Sequence, residues 1–329
     1  MRLSRHIFAV LAAALLLHIA QVSAQVTWTI ATEYPATSMP GEGLRYFAEA
    51  LFRESAGRIV VNPGFDASSG VKSSEMIAAV RDGQITAGDA LAGAMGKTDP
   101  LFLLSSLPFL AATNAEARKL AEVARPSYAK RLAAEKLRLL YTTPWPPSGI
   151  WAKKAIVSPG DLKGLAIRTY DSTGVKAFTA AGAAPVNLSF ADAMPRLIDG
   201  SVVAVLSSGD GGAGRKLWDY LPYFTEINYA VPLSLTMLSE SAYSALPPDL
   251  RTAVDRAATA TEANQWHLLE TRLEENYARM AANGVTLVKT SAISAELRRL
   301  LSASADEAIA EWKTLSGDAG VDLLKQIGR

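Results

Sequence analysis

The spacing of apolar and polar positions predicts the same run of elements twice along this chain. Residues 26–30 are β-branched and aromatic, the composition of a strand. Over 43–55, Leu44, Phe47, Ala48 and Leu51 recur on one helical face, and Gly57 supplies the stop. A second strand is expected over 58–62, a second helix over 73–81 ending at Asp82-Gly83, and a third strand beginning over 84–88. After residue 160 the order returns. Residues 165–169 predict a strand, 172–181 a helix closed by Gly182, and 185–188 an extended segment. Ser189 and Asp192 form a capping box for the next helix, which ends at Asp199-Gly200 before an apolar strand over 201–206. Pro195 lies inside that helix and, lacking an N–H, predicts a kink.

Each half therefore reads β-α-β-α-β, the alternation of mostly parallel sheets with helices on both faces. Ligands in such sheets sit beyond the carboxyl ends of the strands. The expected architecture is α/β, with two lobes around a ligand cleft and a long helix bracing both. Between the halves, residues 115–136 predict a helix broken at Pro126. The stretch Pro144-Trp145-Pro146-Pro147-Ser148-Gly149 reads as a crossing between lobes, and a second crossing is expected near Val231-Pro232. Residues 248–282 read as one helix between Pro247-Pro248-Asp249 and Asn283-Gly284, roughly 50 Å long at ~1.5 Å per residue. The division that follows puts residues 25–145 with about 232–255 in lobe 1. Lobe 2 takes 146–231 with part of 256–329, which also supplies the bracing and C-terminal helices.

Composition narrows the function. Residues 1–24 carry Arg2 and Arg5, an apolar run over 7–20 and small residues Ser23 and Ala24, the three parts of a secretory signal cut near Ala24-Gln25. The rival, a membrane anchor, needs a longer apolar run, so no stable membrane insertion is expected after cleavage. The chain has 33 Lys and Arg, two of them in that leader, against 32 Asp and Glu, a near balance that offers nucleic acid no footprint. Without cysteine, disulfides, thiolate metal sites and a cysteine nucleophile are excluded. His267 is the sole histidine beyond the leader, so an exported hydrolase, the enzymatic alternative, would have to use it. No metal, cofactor or catalytic residue is predicted.

Arg168 ends the strand Leu165-Ala166-Ile167 and is followed by Thr169, Tyr170 and Asp171. A guanidinium at a strand's carboxyl end can grip a carboxylate through two parallel bonds; the plainer reading is a partner for Asp171. Trp145, Trp151 and Trp218 are candidate pocket walls or core. Gly209, Gly211 and Gly214 satisfy G-x-G-x-x-G, but no long helix or distal acid follows, and a turn allowing close backbone approach explains them better. Ser207, Ser208 and Asp210 then border the cleft.

These segments together resemble the solute-binding component of tripartite ATP-independent periplasmic (TRAP) transporters, the DctP type. The matching residues are Gly57-Arg58-Ile59, Glu75 to Gly83 with Gly88, and Leu107-Pro108-Phe109-Leu110. The densest match is Asp161-Leu162-Lys163-Gly164-Leu165-Ala166-Ile167-Arg168, followed by Gly182-Ala183, Pro185, Phe190, Leu197, Gly200 and Leu246-Pro247-Pro248-Asp249-Leu250. The resemblance implies a periplasmic binding protein-like fold, free in the periplasm, that delivers a small carboxylate to TRAP permease subunits for ion-gradient-driven uptake. It places the family's carboxylate-binding arginine at Arg168 and draws ligand contacts from first-lobe loops, making Tyr34, Ser38 and Asp89 candidates. A ligand-sensing subunit is the remaining alternative. Two departures favour an apolar ligand: no arginine lies near 148–151, and Ser207 stands where many relatives have asparagine. The expected ligand is a monocarboxylate, an aromatic or branched 2-hydroxy or 2-oxo acid.

Overall fold

In the computed structural model, residues 25–111 and 113–329 are described, so the expected leader, 1–24, lies outside them. The chain runs β1 (Val26–Thr32), α1 (Met39–Glu54), β2 (Ile59–Gly64), α2 (Met76–Arg81), β3 (Ala87–Leu91), α3 (Asn114–Ala134) and β4 (Leu137–Pro144). It continues through β5 (Ser148–Ala152), α4 (Pro159–Leu162), β6 (Ala166–Thr169), α5 (Ser172–Ala180), β7 (Ala184–Asn187), α6 (Phe190–Ile198), β8 (Ala204–Ser208), α7 (Gly209–Gly214) and β9 (Tyr223–Thr225). The remainder is β10 (Leu233–Ser239), α8 (Glu240–Ser244), α9 (Pro248–Ala282), β11 (Thr286–Val288) and α10 (Ala295–Ile327).

Two sheets result, ordered β2-β1-β3-β10-β4 and β11-β9-β5-β8-β6-β7. Both repeats pair in parallel, β1 with β2 and β3 in one sheet, β6 with β7 and β8 in the other. Each sheet then receives an antiparallel strand delivered by a crossing: β5 lies against β8, and β10 lies between β3 and β4. The two crossings are bonded to one another, Trp145 N–H to Pro232 O at 2.9 Å and Ser148 N–H to Ala230 O at 2.8 Å.

The long helix α9 has the bounds its Pro and Gly punctuation predicts. Leu250, Val254 and Ala257 pack with Phe47 and Leu51 of α1 on the first lobe, while Tyr277 and Met280 join the core of the second. α10 braces the lobes as well: Leu297 and Leu301 enter the second core, Trp312 and Leu323 the first. Gly317, at φ +59° and ψ −152°, bends it. The expected break at Pro126 does not occur. α3 continues through it, because Leu120, Ala124, Tyr128 and Leu132 are buried in one apolar face on both sides of the proline. That burial outweighs one missing backbone bond.

Candidate functional site

Arg168 is the third residue of β6 and lies between the lobes, only 2% exposed. Its Nε donates to Leu188 O at 2.8 Å and its Nη1 to Leu206 O at 3.3 Å, carbonyls at the neighbouring strands β7 and β8. The guanidinium lies over the ring of Phe190, 4.4 Å from its centroid, and 5.9 Å from that of Tyr170. Ser189 places that ring, since its hydroxyl caps α6 by accepting from Asp192 N–H at 3.1 Å. Burial lowers the Arg168 pKa from the usual guanidinium value. Among the described residues no acid forms an ion pair with Arg168, so the alternative of a partnership with Asp171 fails. The Asp171 carboxylate instead caps α5, accepting from Gly174 N–H at 2.9 Å and Thr173 Oγ1 at 2.8 Å.

A narrow cavity of about 20 Å³ opens on Arg168. Tyr34, Leu91, Trp145 and Pro232 close it from one side; Ser148, Tyr170, Phe190, Ser207, Ser208 and Gly211 form the other. Tyr34 meets Trp145 edge-on at 4.7 Å, and Trp145 Nε1 donates to Ser234 Oγ at 3.1 Å, which fixes the indole as a wall. Ser148 Oγ and Tyr170 OH lie 3.3 Å apart. Ser208 Oγ accepts from Gly211 N–H at 3.0 Å and so caps α7. A wider chamber of about 310 Å³ adjoins this cavity, sharing Tyr34, Leu91, Arg168 and Tyr170 and adding Glu33, Lys72, Asn187 and Asp192.

Of the residues singled out from sequence, Tyr34, Trp145, Arg168, Tyr170, Ser207 and Ser208 come together on the cavity wall. Ser38, Asp89, Trp151 and Asp210 line neither space. Asp89 misses because β3 runs on to Leu91: Leu91 reaches the cavity, and Asp89 is buried mid-strand between Thr32 and Thr236 hydroxyls at 3.2 and 3.1 Å. Trp151 lies on the far face of β5, against Phe224, its Nε1 donating to Ser208 O at 3.2 Å. Ser38 caps α1. Asp210 ties the lobes together, accepting from Met39 N–H at 2.8 Å and from Arg272 Nε at 2.6 Å and Asn276 Nδ2 at 3.3 Å on α9. The glycine run is the short helix α7, where the expectation was a turn. His267 has 78% of its side chain exposed on α9 beside Glu270 and lines neither space. Leu91, Ser148, Phe190, Gly211 and Pro232 also line the cavity; the sequence reading names no ligand contact at Leu91, Ser148, Phe190 or Pro232, and places Gly211 only at a close backbone approach.

Two lobes meeting over a buried arginine that has no ion-pair partner among the described residues define a small-molecule binding protein. Residues 30–311 match the DctP family, described as bacterial extracellular solute-binding protein family 7, and the chain belongs to that family. Similar solved structures include DctP7 and DctP6 of Bordetella pertussis, extracytoplasmic solute receptors binding pyroglutamic acid. The first is 28% identical with a TM-score of 0.88, covering 92% of this chain and 100% of that one. The second is 27% identical at 0.86, covering 92% and 99%. A TRAP solute-binding protein from an unidentified marine microbe, specific for pyroglutamate, is 26% identical at 0.86, with coverage of 92% and 99%. No curated protein matches. The family and its neighbours are receptors, so this chain is a solute-binding protein of TRAP type and not an enzyme. Among the described residues no helix is long and apolar enough to cross a membrane.

Proposed function

We propose that this protein captures a compact monocarboxylate, of about the size of pyroglutamate, in the periplasm and presents it to the membrane subunits of a TRAP transporter. The observation that carries the reading is Arg168: a buried cation that lines the cavity, is held by two backbone carbonyls and forms no ion pair among the described residues. A ligand carboxylate supplies the missing charge through paired N–H bonds. The walls favour a small, mostly apolar body. Leu91, Trp145, Phe190 and Pro232 offer no hydrogen bonds, and each hydroxyl of a sugar acid left unpaired there would cost free energy. The pyroglutamate-binding relatives support a compact ring over a mandelate-like aromatic acid.

Isothermal titration of the protein, unfolded and refolded to strip carried-over ligand, tests this. Pyroglutamate, a branched 2-oxo acid, mandelate, succinate and glucuronate form the panel. Pyroglutamate or the branched acid should bind tightest, and at one hundred times its Kd should stabilise the fold by about 2.7 kcal/mol. Tighter binding of glucuronate or succinate overturns the reading.

A further inference from the structure

Asp89 lines neither space, yet both rings that close the cavity from the first lobe lead back to it. Thr32, Asp89 and Thr236 stand at one register across β1, β3 and β10, with Asp89 paired to the other two. Each is at most 1% exposed. Asp89 Oδ1 accepts the Thr32 hydroxyl at 3.2 Å, and Oδ2 lies 3.1 Å from Thr236 Oγ1. Thr32 Oγ1 in turn accepts the backbone N–H of Tyr34 at 3.4 Å. Ser234, two residues before Thr236 on β10, shares its face of the sheet. Its Oγ accepts Trp145 Nε1–H at 3.1 Å, which leaves the Ser234 proton to donate. Burial raises the Asp89 pKa, and the Thr236, Thr32 and Ser234 hydroxyls pull it back as hydrogen-bond donors.

Two hydroxyl relays therefore run from one edge-on ring pair, Tyr34 and Trp145, to one carboxyl. Tyr34 follows β1 and Trp145 follows β4, and β3 and β10 lie between those strands in the sheet. A carboxyl on an intervening strand has an oxygen for each side; a single hydroxyl there would serve only one. We propose that Asp89 is a positioning residue: without touching the ligand, it holds Tyr34 and Trp145 together as the wall against which the ligand body packs. This rests on the reading of the cavity as the site of a small carboxylate. The role survives protonation. Thr32 Oγ1 and Ser234 Oγ already accept N–H groups, so the acid proton goes to Thr236 Oγ1 while the other two hydroxyls still donate. Asparagine reproduces that pattern, with a carbonyl oxygen that accepts and an NH₂ for Thr236. Alanine reproduces none of it.

The placement of the indole is read by fluorine NMR at pH 6 on ligand-free protein carrying 5-fluorotryptophan, with the Trp145 resonance assigned through Trp145→Phe. In Asp89→Ala that resonance should shift or broaden while those of Trp151 and Trp312 hold, and Asp89→Asn should restore it. By calorimetry, Asp89→Ala should weaken pyroglutamate about 3- to 10-fold, the worth of one or two hydrogen bonds. Acetate, read by competition, offers Arg168 a carboxylate and the wall almost no body, so its affinity should stay within about two-fold. Asp89→Asn should hold pyroglutamate within about two-fold as well. If Asp89→Ala does not fold, Thr236→Val takes its place: it strips one hydroxyl from the carboxyl, leaves the Ser234–indole bond alone, and should give the same pattern. An unmoved Trp145 resonance, unchanged pyroglutamate affinity, an equal loss for acetate, or Asp89→Asn as weak as Asp89→Ala overturns the proposal and leaves the carboxylate reading standing. Loss of the carboxylate reading looks different: neither acid binds wild type, or Arg168→Ala binds pyroglutamate as well as wild type does, and the proposal falls with it.

Discussion

Arg168 combines three conditions rarely met by one side chain: burial, two backbone bonds that hold its plane, and no acid partner. Removing it breaks no ion pair, so Arg168→Ala should melt close to wild type when empty while binding weakens by about 1.5–3 kcal/mol, measured by calorimetry. Arg168→Lys should not restore affinity, since an ammonium cannot replace a planar fork fixed by two carbonyls. Asp89 makes a prediction of another kind. Burial, the largest cause, pushes its carboxyl up from 3.8 to about 7 against the bonds from Thr236 and Thr32. The folded protein therefore keeps a proton that the unfolded chain loses above roughly pH 4. Stability from neutral Asp89 is complete below that pH and drains away as pH rises through about 7. Asp89→Asn should flatten the fall in Tm between pH 4 and 7 relative to wild type; parallel Tm curves would show that Asp89 is not the group responsible.

Among the elements, α7 is the one whose sequence misleads most. Its glycines match a nucleotide-binding pattern, yet their physical reason is contact with side chains. A Cβ at Gly212 would stand 2.2 Å from Trp151 Cε2, and one at Gly211 would stand 2.6 Å from Ser207 Oγ. Gly212→Ala must displace the Trp151 indole, and should cost about 1–3 kcal/mol in denaturant unfolding. Affinity should fall with it, because Ser208, bonded to that indole through its carbonyl, forms part of the cavity wall. A Gly212→Ala protein with wild-type unfolding midpoint would refute this account of the glycine.

Across the whole molecule, the closed cleft is held by contacts that join distant parts of the chain. Lys72 meets Asp192 at 2.9 Å and Arg215 meets Asp66 at 3.3 Å. Both pairs are partly exposed, worth about 0.2–1 kcal/mol each and weakened by salt. Lys72→Ala should therefore speed ligand release up to about five-fold at low salt, seen by stopped-flow, with the gap closing at high salt. Asp210 is the stronger tie, since its buried carboxylate serves α1 and α9 at once. Asp210→Ala leaves Arg272 with Glu42 at 3.2 Å but unpairs the Met39 N–H, and should cost about 1–3 kcal/mol in denaturant unfolding.

The sequence by itself determined the repeated β-α-β-α-β order, the bounds of α9 and the prominence of Arg168. Those rest on local physics: apolar spacing near 2 or about 3.6 residues, proline and glycine as stops, and a charge at the end of an apolar strand. Tertiary structure alone decided which neighbours share the cavity. Trp145 forms a wall and Trp151 does not, because Trp145 lies in the crossing beside Pro232 while Trp151, within β5, packs on Phe224. Leu91 reaches the ligand space in place of Asp89, because β3 runs on to Leu91. Glu33 met Arg168 without any local signal, since the two are brought together only when separate sheets close on one another.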